Sequence, residues 1–581
     1  MTKYQLPILN FQLRIGFAAL LLIAILLAGC VAPKANPLLS VTHAPIPPTV
    51  TSTPLLPTAT HTLVPPTATP TPTATPTPLR IWLDPAVPAA VQDLVSAALA
   101  KRFTVLTTSQ AEADLRLGLN LSVPVARWVY AVAAPFPTFA DEVHWEDVRN
   151  FWAGKAGALS EVSRDGKTPT LFVTADTLAV LQGLLGMPSA QAPISVTASA
   201  ELVDQAWANR RHAWAILPFD QLEPRWKVLR VDGASVLDKA LEVDKYPLSL
   251  QFGLAGKETP SLAAALMPDG RLLTNRDTER MTVLIMTGVT AMTRSTAARM
   301  EEQGILYPAE KVGALLRSAD LTHISNEVPF TEECPTPDFH SKSLTFCSSP
   351  RYVELLRAIG TDIVELTGNH VHDYGAQAML ETLEIYRREG WPYFGGGKNL
   401  EEARRPLVIE KNGNKLAFIG CNPVGPAIAW ATADGPGAAP CDYEYVHAEL
   451  AKLKAQVDVP IATLQYWEFE LYEPTDQQRA DFRGLVDAGA VIVSGSQAHQ
   501  PQGFEFYKGG FIHYGLGNLF FDQMWSLGTR QEVIDRHVIY QGRHISTELY
   551  TYMLEDYSQP RPMTAKERQE LLSALFKASG W

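Results

Sequence analysis

Cysteine is scarce in this chain, with five in 581 residues, and no two of them are spaced Cys-x-x-Cys. That spacing is the usual frame of a structural zinc site, so its absence argues against one. Charge is sparse as well. Only 19% of residues are charged, with 49 Lys and Arg against 61 Asp and Glu, for a formal net charge of −12. Non-specific nucleic-acid binding needs basic surface, which this balance does not supply. The same balance opposes attraction of the whole molecule to an anionic polymer and leaves that role to a local basic cleft. The apolar run from Ile15 to Leu27 is too short for a comfortable membrane span, which takes about 20 residues.

That run has a different meaning in context. Lys3 and Arg14 precede it, and it ends in Leu27-Ala28-Gly29-Cys30. A basic start, an apolar core and small residues before a cysteine resemble a bacterial lipoprotein signal, in which Cys30 is lipidated and becomes the mature N-terminus. The alternative is an uncleaved anchor helix that contains a cysteine. Both place the rest of the chain outside the cytoplasm, attached to the membrane at its N-terminus. Residues 31–78 are Pro, Thr, Ala and Ser with hardly a charge. Such a segment has too little apolar surface to offset ordering entropy and is expected as an extended stalk.

Without Cys30, four cysteines remain, an even set for an oxidising compartment. Of the three pairings, the sequential one is expected, Cys334–Cys347 and Cys421–Cys441, because each closes a Pro- or Gly-rich loop. A 46% hydrophobic content gives material for more than one core.

Residues 79–256 alternate strand-like and helix-like runs. Leu79–Leu83, Ala113–Leu117, Arg127–Ala133, Trp214–Phe219 and Trp226–Val231 read as strands, and Ala89–Lys101 and Trp145–Trp152 as helices. The alternation predicts a parallel α/β sheet with helices on both faces. The order of elements, with Ala133-Ala134-Pro135-Phe136-Pro137 after a helix and Lys245-Tyr246-Pro247-Leu248 late, resembles the type 2 periplasmic solute-binding fold. No acid/base pair, nucleophile elbow or phosphate-cradling glycine loop occurs in it. Its tryptophans, Trp128, Trp145, Trp152, Trp207, Trp214 and Trp226, read as core or rim residues before they read as ligand platforms.

Residues 257–279 read as a Pro/Gly-containing linker, and a second α/β pattern fills 280–581. Strands are expected at Met281–Met286, Leu321–Ser325, Ile363–Leu366, Lys415–Gly420, Val459–Leu464, Val491–Ser494 and Phe511–Tyr514, with helices at Glu310–Ser318, Tyr352–Gly360 and Ala376–Gly390. A closing helix is expected over Met563–Lys577 from its capping character and apolar spacing. Polar residues gather where several strands end, the usual place for a site in an α/β fold.

Asn326-Glu327, Asn369-His370-x-x-Asp373-Tyr374-Gly375, Glu402-Ala403-Arg404-x-Pro406, Gly495-x-x-x-His499, Gln502-Gly503-x-Glu505 and Tyr514-Gly515-Leu516-Gly517-Asn518 together resemble the CapA family of capsule and poly-γ-glutamate biosynthesis proteins. The resemblance spans about Thr282 to Gln523. It implies a layered α/β/β/α metallophosphatase-like sandwich, and a site in which carboxylate, amide and imidazole groups hold two divalent ions that activate water. Glu327, Asn369, His370 and His499 occupy matching positions, with His370, His499 and Asn369 as the catalytic candidates.

The family pattern is broken at three places. Val289 stands where a bridging Asp is expected, Gln465 where a His is expected, and Ser496-Gln497 where the last motif has histidines. Valine cannot ligate, and amides are weaker donors than carboxylate or imidazole. A single divalent ion, Mn or Zn, on Glu327, Asn369, His370 and His499 is one outcome, and a metal-free cleft the other. The plain alternatives are a hydrogen-bonded strand-end pair for Glu327 and His370, and an orienting hydrogen bond for His499. Asp373 reads as the turn that fixes the Asn-His geometry, Arg294 as an anion holder or a salt bridge, and Asn326, Gln465, Gln497 and Asn518 as cleft supports. His323 and His372 read as packed or surface histidines. The expected partner is an anionic or peptide-like polymer, such as poly-γ-glutamate or a capsule component. The non-catalytic alternative is a lipoprotein that captures a ligand in its solute-binding-like half.

Overall fold

Val-, Ile- and Leu-rich runs pair into three large sheets in the computed structural model, which describes residues 77–100 and 102–581. The expected signal segment, Cys30 and the stalk up to residue 76 lie outside the described residues. Among the described residues, no helix is long and apolar enough to cross a membrane.

The first sheet runs in the order Thr104–Leu106, Leu79–Leu83, Leu115–Leu119, Ser249–Gly256, Val123–Pro135, Ala213–Pro218, Thr170–Val173, Ile194–Val196. It is mixed, not parallel as expected. The 13-residue Val123–Pro135 strand runs antiparallel to Ser249–Gly256, Ala213–Pro218 and Trp226–Val231. It is long enough to pair with different partners along its length, which period-2 patterning alone does not reveal. The segment expected as a linker is folded. Thr259–Leu266 is a helix with Leu262 and Leu266 in the core, and Leu273–Thr274 pairs with Val123–Pro135. Its apolar residues find a buried face there, and that burial overrides its Pro/Gly content. Of the six tryptophans in this half, Trp128, Trp152, Trp214 and Trp226 are buried and Trp145 and Trp207 half-buried.

The C-terminal half is a two-sheet sandwich. One sheet has the order Tyr393–Phe394, Ile363–Glu365, Leu321–Asn326, Met281–Thr290, Gln531–Tyr540, Arg543–Glu555, Gln559–Pro562, with Asn518–Phe520 beside Met281–Thr290. The other is Leu407–Lys411, Asn414–Cys421, Val459–Gln465, Ile492–Ser496, Gly510–His513, Phe504–Tyr507. Between them pack Leu284, Met286, Ile363 and Phe394 against Phe418, Ile461, Ile492 and Phe511. The outer face of the first sheet, Ile285, Ile324 and Val364, is covered by Leu356, Met379 and Leu383 from helices. That of the second, Ala462, Val493 and Ile512, is covered by Leu450, Phe482 and Leu485. These layers are α/β/β/α, as expected. The closing helix is Ala565–Ala578, with a capping box between Thr564 and Glu567.

The two halves share one core. Met281, Val538, Tyr540 and Ile545 join the N-terminal cluster. Phe136 reaches the other way, edge-on to Phe504, Phe506, Phe511 and Trp581. Both expected disulfides are present, Cys334–Cys347 and Cys421–Cys441, with Cα separations of 5.6 and 5.0 Å.

Candidate functional site

Parallel strands of both sheets end on one edge of the sandwich, and the loops that follow carry the polar residues. Leu321–Asn326 delivers Asn326 and Glu327. Ile363–Glu365 leads to Asn369 and His370, Val459–Gln465 ends on Gln465, and Ile492–Ser496 leads to Gln497 and His499. Within each sheet a glycine lets the neighbouring chain come close at this edge. A Cβ on Gly288 would lie 2.1 Å from the Gly517 carbonyl oxygen, and one on Gly495 would lie 2.0 Å from that of Tyr514. Arg294, Gln497 and His499 all adopt positive φ, at 46°, 75° and 53°. Three such residues of non-glycine type around one cleft mark a backbone held in place by its surroundings.

Gln465 ties the sheets together. Its Nε2 donates to Glu327 Oε1 at 3.3 Å, to Asn369 Oδ1 at 3.2 Å and to Gln497 Oε1. The Ser496 hydroxyl donates to Gln465 Oε1 at 2.5 Å and fixes which way the amide points. Thus three acceptor oxygens converge on one donor nitrogen.

Glu327 is fully buried, and its Oε2 has no hydrogen-bond partner. Burial drives its pKa up to about 7; Glu468 and Asp373 push the same way, while His370 and Arg294 oppose. His370 stands against Phe346, ring centroids 4.3 Å apart. Burial depresses its pKa, but the 2.6 Å hydrogen bond to Asp373 Oδ2 and the charges of Glu327 and Asp373 outweigh that, so it lies above the ordinary value. Asp373 also accepts from the Phe346 backbone N–H at 2.8 Å, which locks the turn. His499 is the opposite case. Burial takes its pKa down to about 4 despite its bond to Asn518, so it is neutral at physiological pH. Its Nδ1 donates to Asn518 Oδ1 at 2.8 Å. Asn518 is oriented in turn by donating to Gln523 Oε1 and the Thr529 carbonyl, both at 3.1 Å. Both histidines are thus held through Nδ1, and among the described residues neither has a partner on Nε2.

The structure brings Glu327, Asn369, His370, His499, Gln465, Gln497, Asp373 and Asn518 together. Arg294 is at the site but committed. Its guanidinium pairs with Asp522, Nε to Oδ2 at 3.2 Å and Nη2 to Oδ1 at 2.5 Å, and lies over Phe346 and Phe521. It is the salt bridge, not the free anion holder. Asn326 turns away to donate to the Val328 carbonyl at 2.7 Å. His323 is fully buried between the sheets near Glu365. Sequence reasoning missed Phe346, Asp522 and Gln523 as supports, and had Ser496 only as a replaced histidine. Only the position of Phe346 next to Cys347, and of Asp522-Gln523 at the end of the resembling stretch, hinted at them.

The donor set does not fit a metal pair. Among the described residues, no three His, Cys, Asp or Glu side chains come close enough to hold an ion. Val289, fully buried on the first strand, offers no lone pair, and the point where three oxygens meet is taken by the Gln465 amide.

Residues 283–523 match the model of the family described as "Bacterial capsule synthesis protein PGA_cap". That match lies wholly within the C-terminal half. The "Capsule biosynthesis protein CapA" of Bacillus anthracis is 26% identical over 296 residues, 50% of this chain and 71% of that protein. The "PGA biosynthesis protein CapA" of Bacillus subtilis (strain 168) is 26% identical over 245 residues, and the match spans 42% of this chain and 64% of that protein. Solved structures resemble parts of the chain more loosely. A 5′-nucleotidase precursor from Thermus thermophilus is 14% identical, covering 51% of this chain and 59% of that one, with TM-score 0.30. An ABC-type phosphate transport receptor from Vibrio cholerae is 12% identical, covering 32% of this chain and 93% of that one, with TM-score 0.26. At those scores neither likeness carries an argument.

Proposed function

We propose that this protein acts outside the cytoplasm in the production, export or attachment of a bacterial capsule or γ-linked polyglutamate. It is tethered by a lipidated Cys30, and its cleft grips a polymer chain without cleaving it between two metal ions. The PGA_cap match over residues 283–523 supports the capsule role, and the two disulfides suit an oxidising compartment. The observation that carries the non-hydrolytic part is the Gln465 amide, which fills the convergence point of Glu327, Asn369 and Gln497. Deleting the gene should reduce surface polymer, and complementation with Glu327→Gln or His370→Ala should restore less than wild type. Elemental analysis of the purified protein, with His370→Ala as control, should find no stoichiometric Mn or Zn. A bound ion together with cleavage of phosphoesters or γ-glutamyl chains defeats the non-hydrolytic reading.

A cavity of about 440 Å³ favours a second reading, in which the N-terminal half captures a ligand together with the C-terminal half. Lys227 and Arg230 from the first sheet line it with Tyr550, Met563, Arg568 and Leu572 from the C-terminal half, a mixed apolar and polar wall of small-molecule size. Because both halves build it, thermal stabilisation of the full chain by a peptide, sugar or phosphate is the test.

A further inference from the structure

The mouth of the cleft carries two indoles that no part of the fold requires. Trp467, two residues past Gln465, is 52% exposed, and Trp525, three residues past Asp522, is 58% exposed. Their loops touch, since Trp525 Nε1 donates to Glu470 Oε1 at 2.6 Å. Leu471 and Leu527 are exposed on the same loops. Large apolar side chains left together in solvent beside a cleft mark a contact surface.

The charges around them have one sign in excess. Glu468 and Glu470 are exposed on the Trp467 loop. Desolvation raises the Glu468 pKa, with Glu470 adding and His370 opposing, so this carboxyl is in electrostatic reach of the site. Deeper lie Glu327, Asp373 and Asp522. Against these five carboxyl groups stand two basic side chains, His370 bonded to Asp373 and Arg294 bonded to Asp522. A chain bearing a carboxylate on every unit would meet an excess of like charge here. At the floor, the Nε2 of neutral His499 has acceptor capacity left, while Glu327 Oε2 is sealed from solvent.

We propose that the cleft binds a glycan, with pyranose faces laid on Trp467 and Trp525 and hydroxyls donated to Glu468 and Glu470 at the mouth and to His499 at the floor. A pyranose presents an apolar C–H face and a ring of hydroxyl donors. An indole suits the first, and carboxylates and a neutral imidazole nitrogen accept from the second. The inference rests on the reading of the cleft as a grip on a capsule-associated chain, and it names that chain as sugar in preference to γ-linked glutamate.

The test is titration of the full chain, purified in detergent, with chitohexaose, cellohexaose and poly-γ-glutamate, read by calorimetry and by tryptophan fluorescence. One hexaose should bind and shift the emission, and its identity separates an amino-sugar wall glycan from a hexose polymer. Trp467→Ala and Trp525→Ala should each weaken binding by at least about tenfold with melting temperature unchanged, and Trp467→Phe should retain most of it. Poly-γ-glutamate binding that both alanine variants retain overturns the inference, as does the absence of any response to either hexaose. Sugar binding with normal capsule in the deletion strain would remove the capsule role and leave this inference standing. Capsule loss with no sugar binding does the reverse.

Discussion

Gln465 Nε2 sits 3.3 Å from Glu327 Oε1 and joins a strand end of one sheet to a strand end of the other. Asn369 and Gln497 accept from the same nitrogen. Gln465→Leu therefore removes the two N–H groups that these three oxygens share. Each buried acceptor left unsatisfied costs about 1–3 kcal/mol, so denaturant titration should show a loss in that range or above it. A variant as stable as wild type would mean the amide holds nothing together.

Restoring the family's ligands should restore an ion. Val289→Asp with Gln465→His and Gln497→His places a carboxylate and two imidazoles around Glu327 and Asn369. Without metal this triple variant should be less stable than wild type, because it buries a charge at Val289. Manganese or zinc should raise its melting temperature and chelator should lower it again, while the wild-type melting curve moves with neither.

Two buried groups should tilt stability in opposite directions with pH. Glu327 has a folded pKa of about 7 against an ordinary 4.5. Its contribution is therefore full below 4.5 and lost as pH rises to 7, roughly 3 kcal/mol in all. Glu327→Gln should gain on wild type across that window. His499 is depressed from 6.5 to about 4, so its contribution is full above 6.5 and lost as pH falls to 4, again roughly 3 kcal/mol. His499→Asn should gain on wild type toward acid. Melting curves of the two variants from pH 4 to 8 check both signs; parallel curves would refute the pair.

Gly288→Ala and Gly495→Ala each drive a methyl into a backbone carbonyl, at 2.1 and 2.0 Å. Neither neighbour can step aside without moving a strand. Both variants should lose at least about 3 kcal/mol and should broaden the amide spectra of Glu327 and His499. Gly413, with nothing within 4 Å of its would-be Cβ but φ at +70°, provides a surface control that should lose about 1 kcal/mol.

Replacing Cys334 and Cys347 with serine opens a loop of 13 residues, and replacing Cys421 and Cys441 opens one of 20. Loop-closure entropy puts each loss at about 3 kcal/mol. The first pair should also disturb the site, because Phe346 sits next to Cys347 and packs on His370. An NMR titration of His370 should move in that variant and not in the other.

Much of the sandwich was readable because its parallel strands are buried on both faces and appear as unbroken apolar runs. Leu321–Asn326 and Val459–Gln465 fall within a residue of expectation. The long strands Gln531–Tyr540 and Arg543–Glu555 were not readable. Their inward positions hold Asp535, His537 and His544, all buried, so the alternation of apolar and polar that signals a strand is absent. The site was legible from motif order, which carries which residues meet. It did not carry the commitment of Arg294 to Asp522, since that bond joins positions 228 apart. Nor did it single out Trp525, which stands in a loop outside every motif.

Phe136 belongs by sequence to the first half yet fills a socket of Phe504, Phe511, Phe576 and Trp581 in the second. Expressing either half alone would bare one side of that plug. Truncated fragments should stick to one another and to chaperones, and co-expression of the two pieces is the natural route to a soluble, reassembled pair.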